Sequence, residues 1–295
     1  MRVSVRLPEP IAGRDVGLEA LVEVAQAVEQ RGFDACWVTD HPMPVVEPGS
    51  PGHHAWDPFT ALAAVAATTS RLLLHTNLVV LPYRNPFIVA KAAATLDVLS
   101  GGRLILGLGA GYMEPEFAAL GADLADREEL MREGVEALAA AWSGKPVTLA
   151  SSRWRVDGNA MLPRPVQTPR PPLWRGGNSR AAIRHAIAAC DGWTPFEVTS
   201  EWAGQTRTPA VDGLAALADR IRLMRELAAE AGRTPPLDVC LVRARADWLD
   251  RPLPQVREEL AALEELGVNW LAVALRGSMQ EQLGPGLDRL AEAVR

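Results

Sequence analysis

The sequence is poor in the features that mark most specialised protein classes. Cysteine occurs three times in 295 residues. Cys36, Cys190 and Cys240 lie far apart, each within or beside an apolar stretch, with neither a C-x-x-C pair nor an even count. That excludes a disulfide framework and a cysteine zinc site, and it reads as buried thiols in a reducing compartment. No apolar run approaches the roughly 18 residues of a membrane span, and the opening "MRVSVRLPEP" alternates like a strand without the apolar core of a signal peptide. A cytoplasmic protein with no membrane partner is expected. Lysine is confined to Lys91 and Lys145, so arginine carries nearly all the positive charge. Acidic groups still outnumber basic ones, 36 against 30, for a net charge of -6. This balance gives no electrostatic reason to expect nucleic acid. Internal repeats, low-complexity tracts and interdomain linkers are also absent.

What is present is a switching period. Short β-branched runs at 3–7, 35–39, 72–76, 104–108, 173–175, 192–194, 237–242 and 269–274 alternate with amphipathic stretches at 18–30, 58–67, 86–99, 127–142, 179–189, 214–231, 255–266 and 279–294. Alternating strands and helices imply a parallel sheet, and eight such units close most naturally into a barrel. The chain length is near the roughly 250 residues typical of that fold. The expected fold class is therefore α/β, a single (β/α)8 TIM barrel over residues 1–295. One segment breaks the alternation: "KPVTLASSRWRVDGN" has two extended pieces around Ser151 and Ser152, a small β-hairpin inserted before strand 5.

In such barrels the reactive groups lie at strand C-termini. The second strand ends "CWVTDHP", placing Asp40 and His41 at the rim. Histidine titrates near neutral pH, and a neighbouring carboxylate can fix its tautomer. The structural alternative makes Asp40 a turn cap and packs His41 under the proline-rich loop that follows. The third strand overshoots in "LHTNLVVLPYRNP", where Asn77 suggests a bulge or a strained peptide and Arg84 reads as a surface charge. In "GRLILGLGAGYMEPEF" three glycines follow a strand, but the third falls two positions on rather than three, so the dinucleotide fingerprint fails. Glycines there can let a flat ligand lie against backbone, with Glu114 and Glu116 as acidic groups; equally, those acids suit the first turn of a helix. "PPLWRGGNSRAAIRHA" gives a strand, then Gly176-Gly177-Asn178-Ser179, then a helix N-terminus suited to phosphate, with Arg175 and Arg180 beside it; the alternative is an ordinary N-cap at Asn178 or Ser179. His53 and His54 are adjacent, point apart and lack further ligands at metal spacing, so they read as a solvated loop and no metal site is expected. Among nine tryptophans, Trp56 and Trp193 are candidates for a pocket wall.

The stretches "VTDHP", "LVVLPYRNPFIVAKAAATLDVLSGGRLILGLGAGYMEPEFAALG" and "PLWRGGNSRAAIRHAIAACDGW" together resemble the bacterial luciferase-like family. The resemblance is narrower still to its coenzyme F420-dependent oxidoreductases, the group of methylenetetrahydromethanopterin reductase and F420-dependent glucose-6-phosphate dehydrogenase. It runs from the first strand to about Trp193. It implies a barrel, commonly a homodimer, holding a deazaflavin or flavin ring across its mouth. Carried over by position, Thr39, Asp40 and His41 stand beside the reactive ring, with Asp40 and His41 in catalytic roles. Thr76, Asn77 and Leu78 surround a non-proline cis peptide behind the ring, and Gly107, Gly109, Ala110 and Gly111 form a wall. Arg175, Gly176, Gly177, Asn178 and Ser179 cradle the side-chain phosphate. In the sugar-phosphate branch a glutamate follows the glycines as proton donor. Here Tyr112 occupies that place and Glu114 lies two further on, so Tyr112, Glu114 or His41 alone takes the acid role. The expected activity is hydride transfer between F420 and a small-molecule substrate. The alternatives are an FMN-dependent monooxygenase and a non-catalytic flavin-binding barrel.

Overall fold

A computed structural model describes residues 1–10, 16–46, 53–151, 153–243, 246–275 and 280–295. The alternating periods form the elements β1 (Arg2–Arg6), α1 (Leu18–Gln30), β2 (Ala35–Val38), α2 (Pro58–Thr68), β3 (Leu73–Val80), α3 (Pro86–Ser100), β4 (Leu104–Gly109) and α4 (Glu114–Ala119). They continue with α5 (Arg127–Ala141), β5 (Val147–Ala150), β6 (Arg155–Asn159), β7 (Leu173–Gly176), α6 (Arg180–Ala189), β8 (Gly192–Thr194) and α7 (Ser200–Ala203). The last are α8 (Gly213–Glu230), β9 (Asp238–Arg243), α9 (Leu253–Leu266), β10 (Trp270–Val273) and α10 (Gln280–Val294). Met279, expected to open the last helix, and Ser152 in the hairpin lie outside the described residues.

Eight of the described strands close a barrel in the order β1, β2, β3, β4, β7, β8, β9, β10, with β10 returning to β1. Neighbours run parallel throughout. Because successive strand side chains point to opposite faces, Trp37, Ile105, Trp174, Cys240 and Trp270 cluster in the barrel interior, while Cys36, Leu104, Leu106, Leu173 and Leu271 join the larger core under the helices. The helix starts follow local chemistry. Asp57 accepts from Thr60 N ahead of Pro58, and Asn85 accepts from Phe87 N ahead of Pro86, each a side-chain cap followed by a proline whose missing N–H costs the helix nothing. The antiparallel pair β5 and β6 is the expected hairpin. It is tied to the barrel flank by Arg153, which donates to Pro82 O and Gly121 O, and by Trp154 edge-on to Phe87.

β3 departs from the expected boundary. It continues to Val80, its register against β4 shifts between Thr76 and Val79, and the Asn77–Leu78 peptide is cis. All eight strand C-termini meet at one mouth, so segments distant in sequence face a common space.

Candidate active site

That mouth opens into a cavity of about 1140 Å³. Its floor is set by Leu78. A Cβ added at Gly176 would lie 2.1 Å from Leu78 Cδ1, and one at Gly109 would lie 3.3 Å from it. At Gly107 the added Cβ would stand 2.1 Å from Thr76 O. The glycines of β4 and β7 therefore make room for irregular β3, and Leu78, seated among them, is the apolar surface that the cavity sees. Two residues expected to bind the cofactor, Gly107 and Thr76, are consequently absent from the lining. Gly107 is covered by the β3 backbone, and Thr76 is buried, its hydroxyl donating to Gly107 O at 2.9 Å. Asn77, Leu78, Gly109, Ala110 and Gly111 do line the cavity.

His41 lines it too, but its partner is not Asp40. His41 Nδ1 is 3.0 Å from Glu116 Oε2. Glu116 is 1% exposed and also accepts from Met43 N at 3.0 Å and from the Tyr83 hydroxyl. With Nδ1 held by a carboxylate, Nε2 is the ring nitrogen left for other partners, the arrangement that orients a histidine for proton transfer. The rings of Tyr112 and His53 stand edge-on to His41 at 5.9 and 5.4 Å. His53 thus faces the cavity rather than sitting in a detached loop. Burial, followed by the charges of His41 and Arg6, holds its pKa below the ordinary histidine range. Burial, reinforced by Glu116, raises that of the Tyr112 phenol, which keeps it a neutral donor.

Asp40 also lines the cavity, but its carboxyl is committed to other partners. Arg84 donates to both of its oxygens, at 2.5 and 3.0 Å, and Val80 N donates at 2.9 Å. Burial pushes the Asp40 carboxyl upward against these partners. The pair pins the end of β3 to the end of β2, so Arg84 is an internal strut and not the surface charge expected. Thr39 is held similarly, its N and Oγ1 both donating to Glu9 Oε1. Glu114 is exposed at the rim, pairs with Arg207 at 2.8 Å, and is not among the lining residues. Its carboxylate is drawn to a cation on the loop after β8.

Of the residues expected to cradle a phosphate, Gly176, Gly177 and Ser179 line the cavity. Gly177 has φ +116°, a conformation that favours glycine, and Ser179 caps α6 by accepting from Ala182 N. Asn178 is not among the lining residues. It is fully buried, donating to Phe196 O and Pro209 O and accepting from Phe196 N, so it ties two loops together. Arg175 is buried and paired with Glu128 at 2.9 Å. Burial lowers its pKa, with Glu128 opposing. Arg127, which the sequence did not single out, lines the same side and donates to Gly111 O. Of the tryptophans, Trp56 donates to Pro8 O and Trp193 is buried with its N–H on Gly177 O. Neither lines the cavity; Trp37, Trp202 and Trp248 do. The three cysteines are buried and free, and burial raises the thiols of Cys36 and Cys190 to about 12 and about 11.

Two polar atoms of the lining, Asn77 Nδ2 and Arg175 Nε, are buried without a partner among the described residues. A buried donor left unpaired is costly, and the residues that carry these atoms line the same cavity as Leu78 and the Gly176–Gly177 backbone. A flat heterocycle with ring carbonyls and a phosphate tail fits that donor set. Among the described residues no group of three or more His, Cys, Asp or Glu side chains could hold a metal ion, and no helix is long and apolar enough to cross a membrane.

The luciferase-like monooxygenase family profile matches residues 1–246, and the chain belongs to that family. It is 30% identical over 193 residues to the F420-dependent glucose-6-phosphate dehydrogenase of Nakamurella multipartita, a match covering 64% of this chain and 55% of the relative. It is also 30% identical over 272 residues to the 4-hydroxyprotoasukamycin monooxygenase of Streptomyces nodosus subsp. asukaensis, covering 88% of this chain and 65% of that one. The matched region thus spans only about half to two thirds of these curated relatives. Among solved structures, the monooxygenase RslO1 of Streptomyces bottropensis superposes with a TM-score of 0.81 at 20% identity, over 100% of this chain and 98% of the other. The family's members include both F420-dependent dehydrogenases and monooxygenases.

Proposed function

We propose that the protein is an F420-dependent oxidoreductase that transfers a hydride between the deazaflavin and a small organic molecule. The observation that carries this reading is the buried, unpartnered Asn77 amide beside the Leu78 floor, at the mouth shared with the His41–Glu116 pair. Leu78, Asn77, Gly109 and Ala110 would hold the ring, and Gly177, Ser179 and Arg127 the phosphate. F420 supplies a two-electron hydride carrier, and the protein's task is then to orient ring and substrate face to face. His41 holds or moves the proton that accompanies the hydride, at Nε2. Glu116 fixes the ring through Nδ1, and Tyr112 narrows the space beside it. The relatives named for F420 support the choice of cofactor.

A second reading keeps the site and changes the cofactor to FMN, making the protein a monooxygenase. The relative of that activity that matches 88% of this chain favours it. Titration with F420 and with FMN, followed through quenching of Trp37, Trp202 and Trp248, separates the two. Tight binding of F420 alone supports hydride transfer. Preference for FMN moves the assignment to the monooxygenase, and binding of neither overturns both.

A further inference from the structure

The opposite wall of the cavity, built by β8, β9 and α9, is not used by the reading above. Arg243, at the end of β9, is 3% exposed and lines the cavity. Its Nε and Nη2 grip Glu197 at 3.0 and 3.1 Å, and Nη2 also donates to Glu259 at 2.8 Å. Glu259 is shared with Arg251. Although burial opposes it, these two arginines hold the Glu259 carboxyl below its ordinary range. One edge of the Arg243 guanidinium is thus spent, and Nη1 remains buried without a partner among the described residues. The guanidinium lies over the Trp248 ring, 5.1 Å from its centroid, and Trp248 Nε1 is likewise buried and unpartnered. Thr194 and Thr199 add two more buried, unpartnered hydroxyls to the same wall.

These atoms are donors looking for acceptors, but they do not make an anion site. Both guanidinium groups of this wall are already neutralised by carboxylates, and across the whole cavity lining carboxylates outnumber guanidinium groups. A phosphate or carboxylate brought here would shed water and meet paired cations and like charges, and desolvating a charge without a free partner is expensive. An uncharged oxygen meets only the unsatisfied N–H and O–H groups, and an apolar body rests on Trp248 and Val242.

We propose that this wall is the substrate subsite and that it takes an uncharged organic molecule bearing a carbonyl or hydroxyl oxygen, with Arg243 Nη1 and Trp248 Nε1 as the recognising donors, in preference to phosphorylated or carboxylated molecules. The assignment rests on the reading that the Asn77–Leu78 side is occupied by the cofactor. Calorimetry on the full chain with cyclohexanone, cyclohexanol, glucose and glucose 6-phosphate tests it, first without cofactor and then with F420. The expected result is binding of the ketone or alcohol at least tenfold tighter than glucose 6-phosphate, with the phosphate giving glucose no advantage. Tenfold tighter binding of glucose 6-phosphate than of glucose overturns the proposal, and so does failure of both cyclohexyl probes to bind. Arg243→Gln and Trp248→Phe are each expected to weaken ketone binding severalfold, and unchanged affinity in both also overturns it. Should Arg243→Gln fail to fold, because Glu197 and Glu259 lose their partner, the wild-type pair of sugars and Trp248→Phe decide. Failure of F420 to bind while the ketone still binds removes the cofactor reading and leaves the subsite standing.

Discussion

His41 and Glu116 meet at 3.0 Å although 75 positions separate them in the chain. One residue lies in the loop just after β2 and the other sits in the first turn of α4. The pairing changes the expected division of labour among the acids. Asp40, next to His41 in sequence, serves Arg84 and the β3 backbone, whereas Glu116, which looks like a helix-dipole residue, takes the imidazole. Glu116→Gln should therefore lower turnover by about one to two orders of magnitude, at or below the lower end of general acid–base effects as befits a residue that acts through His41, while F420 affinity stays near wild type. Glu114→Gln, made at the exposed rim, should change turnover little. Steady-state kinetics with a parallel fluorescence titration checks both, and equal losses in the two variants would remove Glu116 from its positioning role.

The glycines yield a second expectation. At Gly107 an added Cβ meets the Thr76 carbonyl oxygen, a backbone atom that cannot step aside, so Gly107→Ala should cost about 1–3 kcal/mol of stability, as overpacking does. At Gly176 the obstacle is the end of the Leu78 side chain. Gly176→Ala should leave the fold intact, displace Leu78 into the cavity and weaken cofactor binding about tenfold. The double variant with Leu78→Ala should recover part of that loss. Thermal unfolding and fluorescence titration of these variants and of Leu78→Ala alone distinguish the two kinds of glycine, and additivity of Gly176→Ala and Leu78→Ala would show that they do not act through one contact.

The barrel was legible because its signal is local. Strand runs and helix runs differ in period, and Asp57-Pro58 and Asn85-Pro86 announce helix starts by themselves. The candidate site was legible only where a residue's position on a strand or just past its end determines that it faces the mouth, as for His41, Asn77, Leu78 and Ser179. It was illegible where a side chain chooses between partners on other strands. Arg84 resembles any loop arginine until β3 is bent back over Asp40, and Glu116 resembles any N-terminal helix acid. Gly107 falls in a glycine run that suggests a ligand, yet the space it leaves is taken by the neighbouring strand. The Arg243 cluster draws on the loop after β8, on β9 and on α9, and no spacing in sequence brings Glu197, Arg243 and Glu259 together.

Asn178 supplies a third expectation. Its side chain bonds Phe196 N at 2.9 Å, Phe196 O at 2.7 Å and Pro209 O at 2.9 Å. Asn178→Ala would strand these buried backbone groups, at about 1–3 kcal/mol for each group left unsatisfied. The expected result is a clear fall in Tm with cofactor affinity of the folded protein nearly unchanged. Ser179→Ala, which removes the α6 cap, should cost about 1 kcal/mol and, unlike Asn178→Ala, should also weaken the phosphate-dependent part of F420 binding. A loss of phosphate-dependent affinity in Asn178→Ala without a fall in Tm would return this residue to the cradle.

The barrel interior also sets a pH dependence. His75 is fully buried, its Nδ1 3.3 Å from Ser4 Oγ, its Nε2 without a partner among the described residues and its ring edge-on to Trp174 at 4.9 Å. Burial alone lowers its pKa to about 3, against roughly 6.5 in an unfolded chain. Between these values the unfolded state binds a proton that the folded state does not, so stability rises with pH. The contribution is complete above pH 6.5 and is lost as the pH falls toward 3, at about 1.4 kcal/mol per unit. Lowering the pH from 6.5 to 5 should therefore cost wild type about 2 kcal/mol through this residue, and His75→Gln should escape that share. Urea unfolding at both pH values gives the comparison. Parallel losses in wild type and variant would mean that His75 carries no such penalty, and that the acid sensitivity of the fold comes from its carboxylates and its more exposed histidines.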